Sequence, residues 1–166
     1  MNFYMTPRFS FTLLILFCIF TVCSCVGMKS EQMAKSEKLQ VAELLKQINE
    51  NPDLLHYDYT PAVYKLIGIG RPALRFGVLE LLLSKDRDTR MHAQRVLEGV
   101  TLAEMGFERG YGWPNGENGQ EKNKEWQQLW ESNGAYSFDA PEEVRQAAYD
   151  KWQQWLLETD KTNSIR

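Results

Sequence analysis

All three cysteines of this chain, Cys18, Cys23 and Cys25, lie in one apolar stretch near its start, and none follows Cys25. A body beginning at Val26 can therefore form no disulfide, no thiolate zinc site and no cysteine nucleophile. Its fold has to be held by apolar packing alone. A length of 166 residues leaves room for one domain beside a targeting segment. With 43% hydrophobic and 25% charged residues, the composition favours such a core over wholesale disorder. The net charge is −3 and no Lys/Arg block tracks along the chain, so nucleic acid is not expected as a partner.

The apolar stretch sets the address. Arg8 is followed by twenty uncharged residues, Phe9 to Met28, that include Leu13-Leu14-Ile15-Leu16-Phe17. That length suits a bilayer span, and the charged start with an apolar middle also suits a secretory signal. The run ends in Val22-Cys23-Ser24-Cys25, which resembles a bacterial lipobox at Val22, Ser24 and Cys25 and departs from it at Cys23. The resemblance implies lipidation of Cys25, which would become the new N-terminus, and several acyl chains on one residue anchor firmly. Val26 follows, and by the same analogy the lack of aspartate there points to the outer membrane or cell surface. Three readings stay open: lipoprotein, uncleaved anchor helix and secreted domain.

The body reads as helices. Residues 1–25 form the expected signal or anchor and 26–37 a polar tether. A helix is then expected over about Lys38–Asn49, with Leu39, Ala42, Leu45 and Ile48 at helical spacing and Val41 and Leu44 widening the stripe. Asn51-Pro52-Asp53 breaks it. Thr60-Pro61 is a capped helix start, closed by Gly68 and Gly70. Arg71-Pro72 opens a helix that is apolar on two sides, with Leu74, Val78, Leu81 and Leu82 on one and Phe76, Leu79 and Leu83 on the other, as expected of a sandwiched element. After a charged turn, Asp88 is placed to cap a helix carrying Ala93, Val96, Leu97 and Val100. Beyond a glycine-rich loop at 106–120, two tryptophan-bearing helices fall within 121–158. The second opens at Asp139-Ala140-Pro141-Glu142, a capping-box-like start, and 159–166 is a tail.

Residues 61–101 resemble HEAT-like repeats of the short bacterial type, the kind also seen in phycobilisome-lyase-like proteins. Gly70 with Pro72-Ala73-Leu74, the core positions Leu79, Leu82 and Leu83, the acidic turn Asp86/Asp88, and Arg90, Ala93, Leu97 and Gly99 carry that likeness. Thr89 departs from the valine usual before the arginine. The resemblance implies an all-α fold of HEAT-like helical hairpins, in the 38–105 region, extended by a C-terminal helical hairpin. It also implies that Asp86, Asp88 and Arg90 form a structural turn network. Two such units are too few for a long solenoid, so flanking helices must cap the stack.

Candidate chemistry is sparse. Trp126/Trp130 and Trp152/Trp155 each share a helical face, which serves either a core or a stacking platform for sugar rings. Tyr111 and Trp113 in the 106–120 loop are candidate partner contacts. Asn115, Glu117 and Asn118 do not follow an EF-hand pattern, and no phosphate-cradling motif occurs. His56 among Asp53, Asp58 and the neighbouring tyrosines makes a poor metal site. His92 lies at ion-pair spacing from Asp88. No triad or metal motif is present, and no cofactor is expected. The sequence thus leads to a non-enzymatic, membrane-anchored module that binds an envelope protein. A glycan-binding domain with exposed tryptophans and a hydrolase built on paired carboxylates are the alternatives.

Overall fold

The computed structural model describes residues 32–113 and 119–163, with side chains through Lys161. Cys25 and the signal or anchor segment lie outside the described residues, as do Asn115, Glu117, Asn118 and the end of the tail. The chain divides into two compact units, residues 1–37 and 38–166. The second unit holds the hydrophobic core, from Val41 to Leu156.

This body is all-α. Helix α1 covers 32–46, followed by α2 (Pro61–Ile69), α3 (Arg71–Ala73), a π-helical stretch (Leu74–Val78), α4 (Leu79–Leu81), α5 (Arg87–Glu104), α6 (Gly119–Ser132) and α7 (Glu142–Asn163). The β pairing among the described residues is the isolated bridge between Glu108 and Gly112. Helix α1 starts inside the stretch expected as tether. Its buried stripe is Val41 and Leu44, continued by Ile48 in the following turn, while Leu39 points outward. The residues expected to widen the stripe are its centre.

The caps follow local chemistry. The Thr60 hydroxyl accepts from the Val63 N–H at 3.1 Å and donates to the Ile48 carbonyl at 3.0 Å, so one side chain starts α2 and ties it to the turn after α1. Gly70, at φ 77°, ends α2 with its N–H on the Ile67 and Leu66 carbonyls. The α5 cap is Asp86 rather than Asp88: its carboxylate accepts from the Thr89 N–H at 2.7 Å. Asp88 lies in the first turn, where a negative charge suits the helix dipole. The Thr89 hydroxyl accepts from the Asn49 side-chain amide at 2.7 Å.

The expected single helix from Arg71 is interrupted. Gly77 sits at φ 143°, ψ −9° inside the π-helical stretch, a conformation open to glycine alone. A Cβ there would also lie 2.6 Å from Leu45 Cδ1 of α1. The kink turns Leu74, Val78, Leu79 and Leu82 inward and leaves Phe76 and Leu81 half-buried. Helix α5 packs against α2, the π-helical stretch and α4, and α4 packs against α7. The buried hydrophobic residues form one cluster that includes Tyr136 and Trp152.

The tryptophans join that cluster. Trp152 is fully buried, and Trp126–Trp130, Trp130–Trp152 and Trp152–Trp155 each stand 5.3 Å apart between ring centroids. Trp126 Nε1 donates to Thr101 Oγ1 at 3.0 Å, and the Arg71 guanidinium lies 5.0 Å from the Trp155 ring. Helix α6 ends with the Ala135 N–H on the Trp130 carbonyl and Gly134 at φ 90°. The expected cap at Asp139 is replaced by an ion pair: Arg87 Nε and Nη2 donate to the two Asp139 carboxylate oxygens at 2.9 and 3.0 Å.

Candidate functional site

The connection between α1 and α2 folds into a closed tip. Asp53 Oδ1 accepts from the N–H groups of Leu55 at 2.8 Å and His56 at 3.2 Å, which hold its carboxyl below the usual range. The Asp53 N–H donates to the Tyr59 carbonyl and the Tyr59 N–H to the His56 carbonyl, both at 2.8 Å. These bonds fix the backbone and leave the side chains at the apex without cover. Leu54 is 100% and Leu55 88% exposed. Single exposed leucines need no explanation, but two adjacent ones on a hydrogen-bonded tip form an apolar protrusion.

The tip is braced from α5. His92, buried in that helix, places Nδ1 2.8 Å from Asn49 Oδ1 and Nε2 3.2 Å from the Tyr57 carbonyl. The Asn49 amide nitrogen in turn donates to Asp86 Oδ2 at 3.1 Å, which fixes which end of the amide faces the imidazole. The Tyr57 hydroxyl donates to Asp88 Oδ2 at 3.1 Å, and that bond raises the Tyr57 phenol above its ordinary value. The expected His92–Asp88 pair is therefore replaced: both residues hold the tip through Tyr57 and Asn49.

Arg109 connects the tip region to the loop after α5. Its guanidinium lies 4.1 Å from the Tyr59 ring centroid and 3.9 Å from that of Tyr64, two rings stacked at 5.3 Å, and it hydrogen-bonds the Tyr64 hydroxyl. Beyond it, the Glu108–Gly112 turn presents Tyr111, 87% exposed. The two expected contact residues part here. Trp113 is half-buried, edge-on to Phe107 at 5.2 Å, with Lys122 Nζ 5.7 Å from its ring. Tyr111 is exposed on the loop after α5, as Leu54, Leu55 and Tyr57 are on the tip between α1 and α2. The two leucines escape sequence reasoning because a Leu-Leu pair ordinarily signals core.

Arg90 braces the acidic turn through backbone carbonyls rather than through the Asp86 or Asp88 carboxylates. It donates to the carbonyls of Ser84, Lys85 and Phe138, each at 2.9 Å, locking the α4–α5 turn to the segment before α7. Asp58 and Glu98 both pair with Arg95. Among the described residues no three His, Cys, Asp or Glu side chains gather as a metal site, and no helix is long and apolar enough to cross a membrane. The tryptophan faces are largely spent on one another. What the surface can do chemically is bury apolar area against something else, with tyrosine hydroxyls and one guanidinium at its edge.

No protein-family profile, curated protein or solved structure matches this chain.

Proposed function

We propose that the chain is a non-enzymatic interaction module of the cell envelope, exported and membrane-anchored through its N-terminus, with lipidation at Cys25. The observation that carries the interaction reading is the pair Leu54 and Leu55, exposed on a tip whose backbone is already fixed. A preformed protrusion loses little entropy on docking. Tyr57 in the same tip and Arg109, whose charge acts on Asp53, belong to the residue types that dominate protein interfaces, as does Tyr111, exposed on the loop after α5. Helix α5 packs on α2 as well as on the π-helical stretch and α4, which suits a stack of HEAT-like hairpins, and α6 and α7 would then cap them. The anchoring reading rests on the lipobox-like Val22-Cys23-Ser24-Cys25.

The test compares full-length protein with the Leu54→Asp/Leu55→Asp double variant in capture from solubilised membranes. Proteins bound by the parent and lost with the variant support the reading. Identical captured sets refute the tip as the binding surface. For the anchor, intact mass is measured beside Cys25→Ala: loss of residues 1–24 with added acyl chains, abolished in the variant, establishes the lipoprotein.

A further inference from the structure

Both ring nitrogens of the buried His92 face oxygen atoms that cannot donate. Nδ1 lies 2.8 Å from Asn49 Oδ1 and Nε2 lies 3.2 Å from the Tyr57 carbonyl. A backbone carbonyl carries no proton, and the Asn49 amide is oriented by two bonds. Its nitrogen donates to Asp86 Oδ2 at 3.1 Å and to Thr89 Oγ1 at 2.7 Å. Thr89 cannot reverse the second bond, because its own hydroxyl proton goes to Asp86 Oδ2 at 2.5 Å. The Thr89 hydroxyl and N–H hold the Asp86 carboxyl below the usual range, so it stays an acceptor. Turning the amide over would set its oxygen against that carboxylate. A neutral imidazole has one N–H and one bare lone pair, so one nitrogen would press a lone pair against an oxygen. The imidazolium, with two N–H groups, satisfies both contacts.

Resting on the interaction reading above, we propose that His92 is a pH-sensitive clamp on the Leu54–Leu55 tip: the doubly protonated ring holds the tip closed, and loss of one proton releases it. The proton that leaves is the one on Nε2. Asn49 is fixed by Asp86 and Thr89 and keeps its bond from Nδ1, whereas the Tyr57 carbonyl belongs to the tip itself. Histidine is the side chain that changes charge between about pH 5 and 8. The closed tip binds one proton more than the open tip, so acid favours closure and closure weakens as pH rises through that range. A buried cation has to be hydrogen-bonded and paired. On α5, Asp86 stands behind the Asn49 amide and Asp88 holds the Tyr57 hydroxyl. Arg87 and Arg95 of the same helix are engaged by acids, Arg87 with Asp88 and Asp139, Arg95 with Asp58 and Glu98. The tip adds Asp53, on which His56 and Arg109 act, and the turn after α1 adds the exposed Glu50. Closure presents the two leucines as a fixed protrusion, so capture by the tip is strongest toward acid.

The test uses untagged full-length protein in detergent, labelled with ¹⁵N. His56 and His92 are its two histidines, so the His56→Gln protein gives the His92 ring signals alone. Long-range ¹H–¹⁵N spectra are expected to show two protonated nitrogens at about pH 5.5, and one protonated and one bare nitrogen at about pH 8. Amide protection at Asp53 and Tyr59, corrected for the intrinsic pH dependence of exchange, is expected to fall at least several-fold over the same interval. The fall persists in His56→Gln and is absent in His92→Phe, which keeps a ring without a titrating group. One bare nitrogen at both pH values, or protection that does not change, overturns the clamp, as does a fall that survives in His92→Phe. The ring spectrum needs no substitution of His92, so it decides the matter even if His92→Phe does not fold. Capture from solubilised membranes at the two pH values separates the clamp from the interaction reading. Tip-dependent capture several-fold stronger at the lower pH supports both. Tip-dependent capture equal at both leaves the interaction reading standing and overturns its control by His92. A ring and tip that respond to pH, in a protein whose capture is the same with Leu54→Asp/Leu55→Asp, leave the clamp standing and refute the tip as the binding surface.

Discussion

The Tyr136 hydroxyl donates to the Leu82 carbonyl at 2.6 Å, joining the segment before α7 to the end of α4 inside the core. The carbonyl is one of those a helix end leaves unmatched. Burial pushes the phenol up to about 12 from its ordinary 10.0. Tyr136→Phe is expected to cost about 1–2 kcal/mol at neutral pH. The folded state keeps the phenol neutral while the unfolded chain ionises near pH 10, so this stabilisation is complete below pH 10 and is lost between pH 10 and 12. Urea melts should therefore show the parent–variant gap narrowing as pH rises above 10. A constant gap would mean that the phenol titrates alike in both states.

Gly77→Ala tests the kink. At φ 143° an alanine is strained whatever the space around it, and its Cβ would also press on Leu45. A loss of about 1–3 kcal/mol is expected by chemical denaturation. Unchanged or raised stability would show that this stretch runs as ordinary helix, where alanine is the better residue.

His92→Ala should loosen the tip. It leaves Asn49 Oδ1 and the Tyr57 carbonyl without their imidazole partner and opens space in α5. A cost of about 1–3 kcal/mol is expected. The distinguishing readout is faster amide exchange at Asp53 and Tyr59, whose N–H groups close the tip. Exchange there at the parent rate would mean that the tip holds itself together without α5.

Trp152 offers a contrast between volume and polarity. It is fully buried, yet its indole Nε1 has no hydrogen-bond partner. Trp152→Ala is expected to cost about 3–5 kcal/mol. Trp152→Phe removes the unpaired donor along with part of the ring, so its cost should fall clearly below that of alanine. Equal costs for the two variants would show that the indole nitrogen is satisfied in solution.

Much of the helical order was readable in the chain, because the signals are local. Thr60-Pro61 starts a helix through one hydroxyl and one ring, and Gly70 ends it through one positive φ. Apolar spacing marked α5 and its core residues Ala93, Val96, Leu97 and Val100. The acidic turn was legible too, though which aspartate caps depended on a two-residue shift of register, from Asp88 to Asp86. Gly77 was visible as a glycine, but nothing in its neighbours distinguishes a kink from a tolerated helix position.

What the sequence determined by itself is a cysteine-free helical body after an apolar, cysteine-bearing N-terminal stretch, since composition and short-range periodicity suffice for both. What only the tertiary structure decided is the destination of individual side chains. Leu54 and Leu55 carry the same residue code as buried Leu66 and Leu82, but the Asp53 turn and the His92 brace hold them out of the core. Arg90 spends its guanidinium on carbonyls up to 48 residues away rather than on the adjacent aspartates. Exposure and partner choice come from distant segments meeting in space, which no local pattern records.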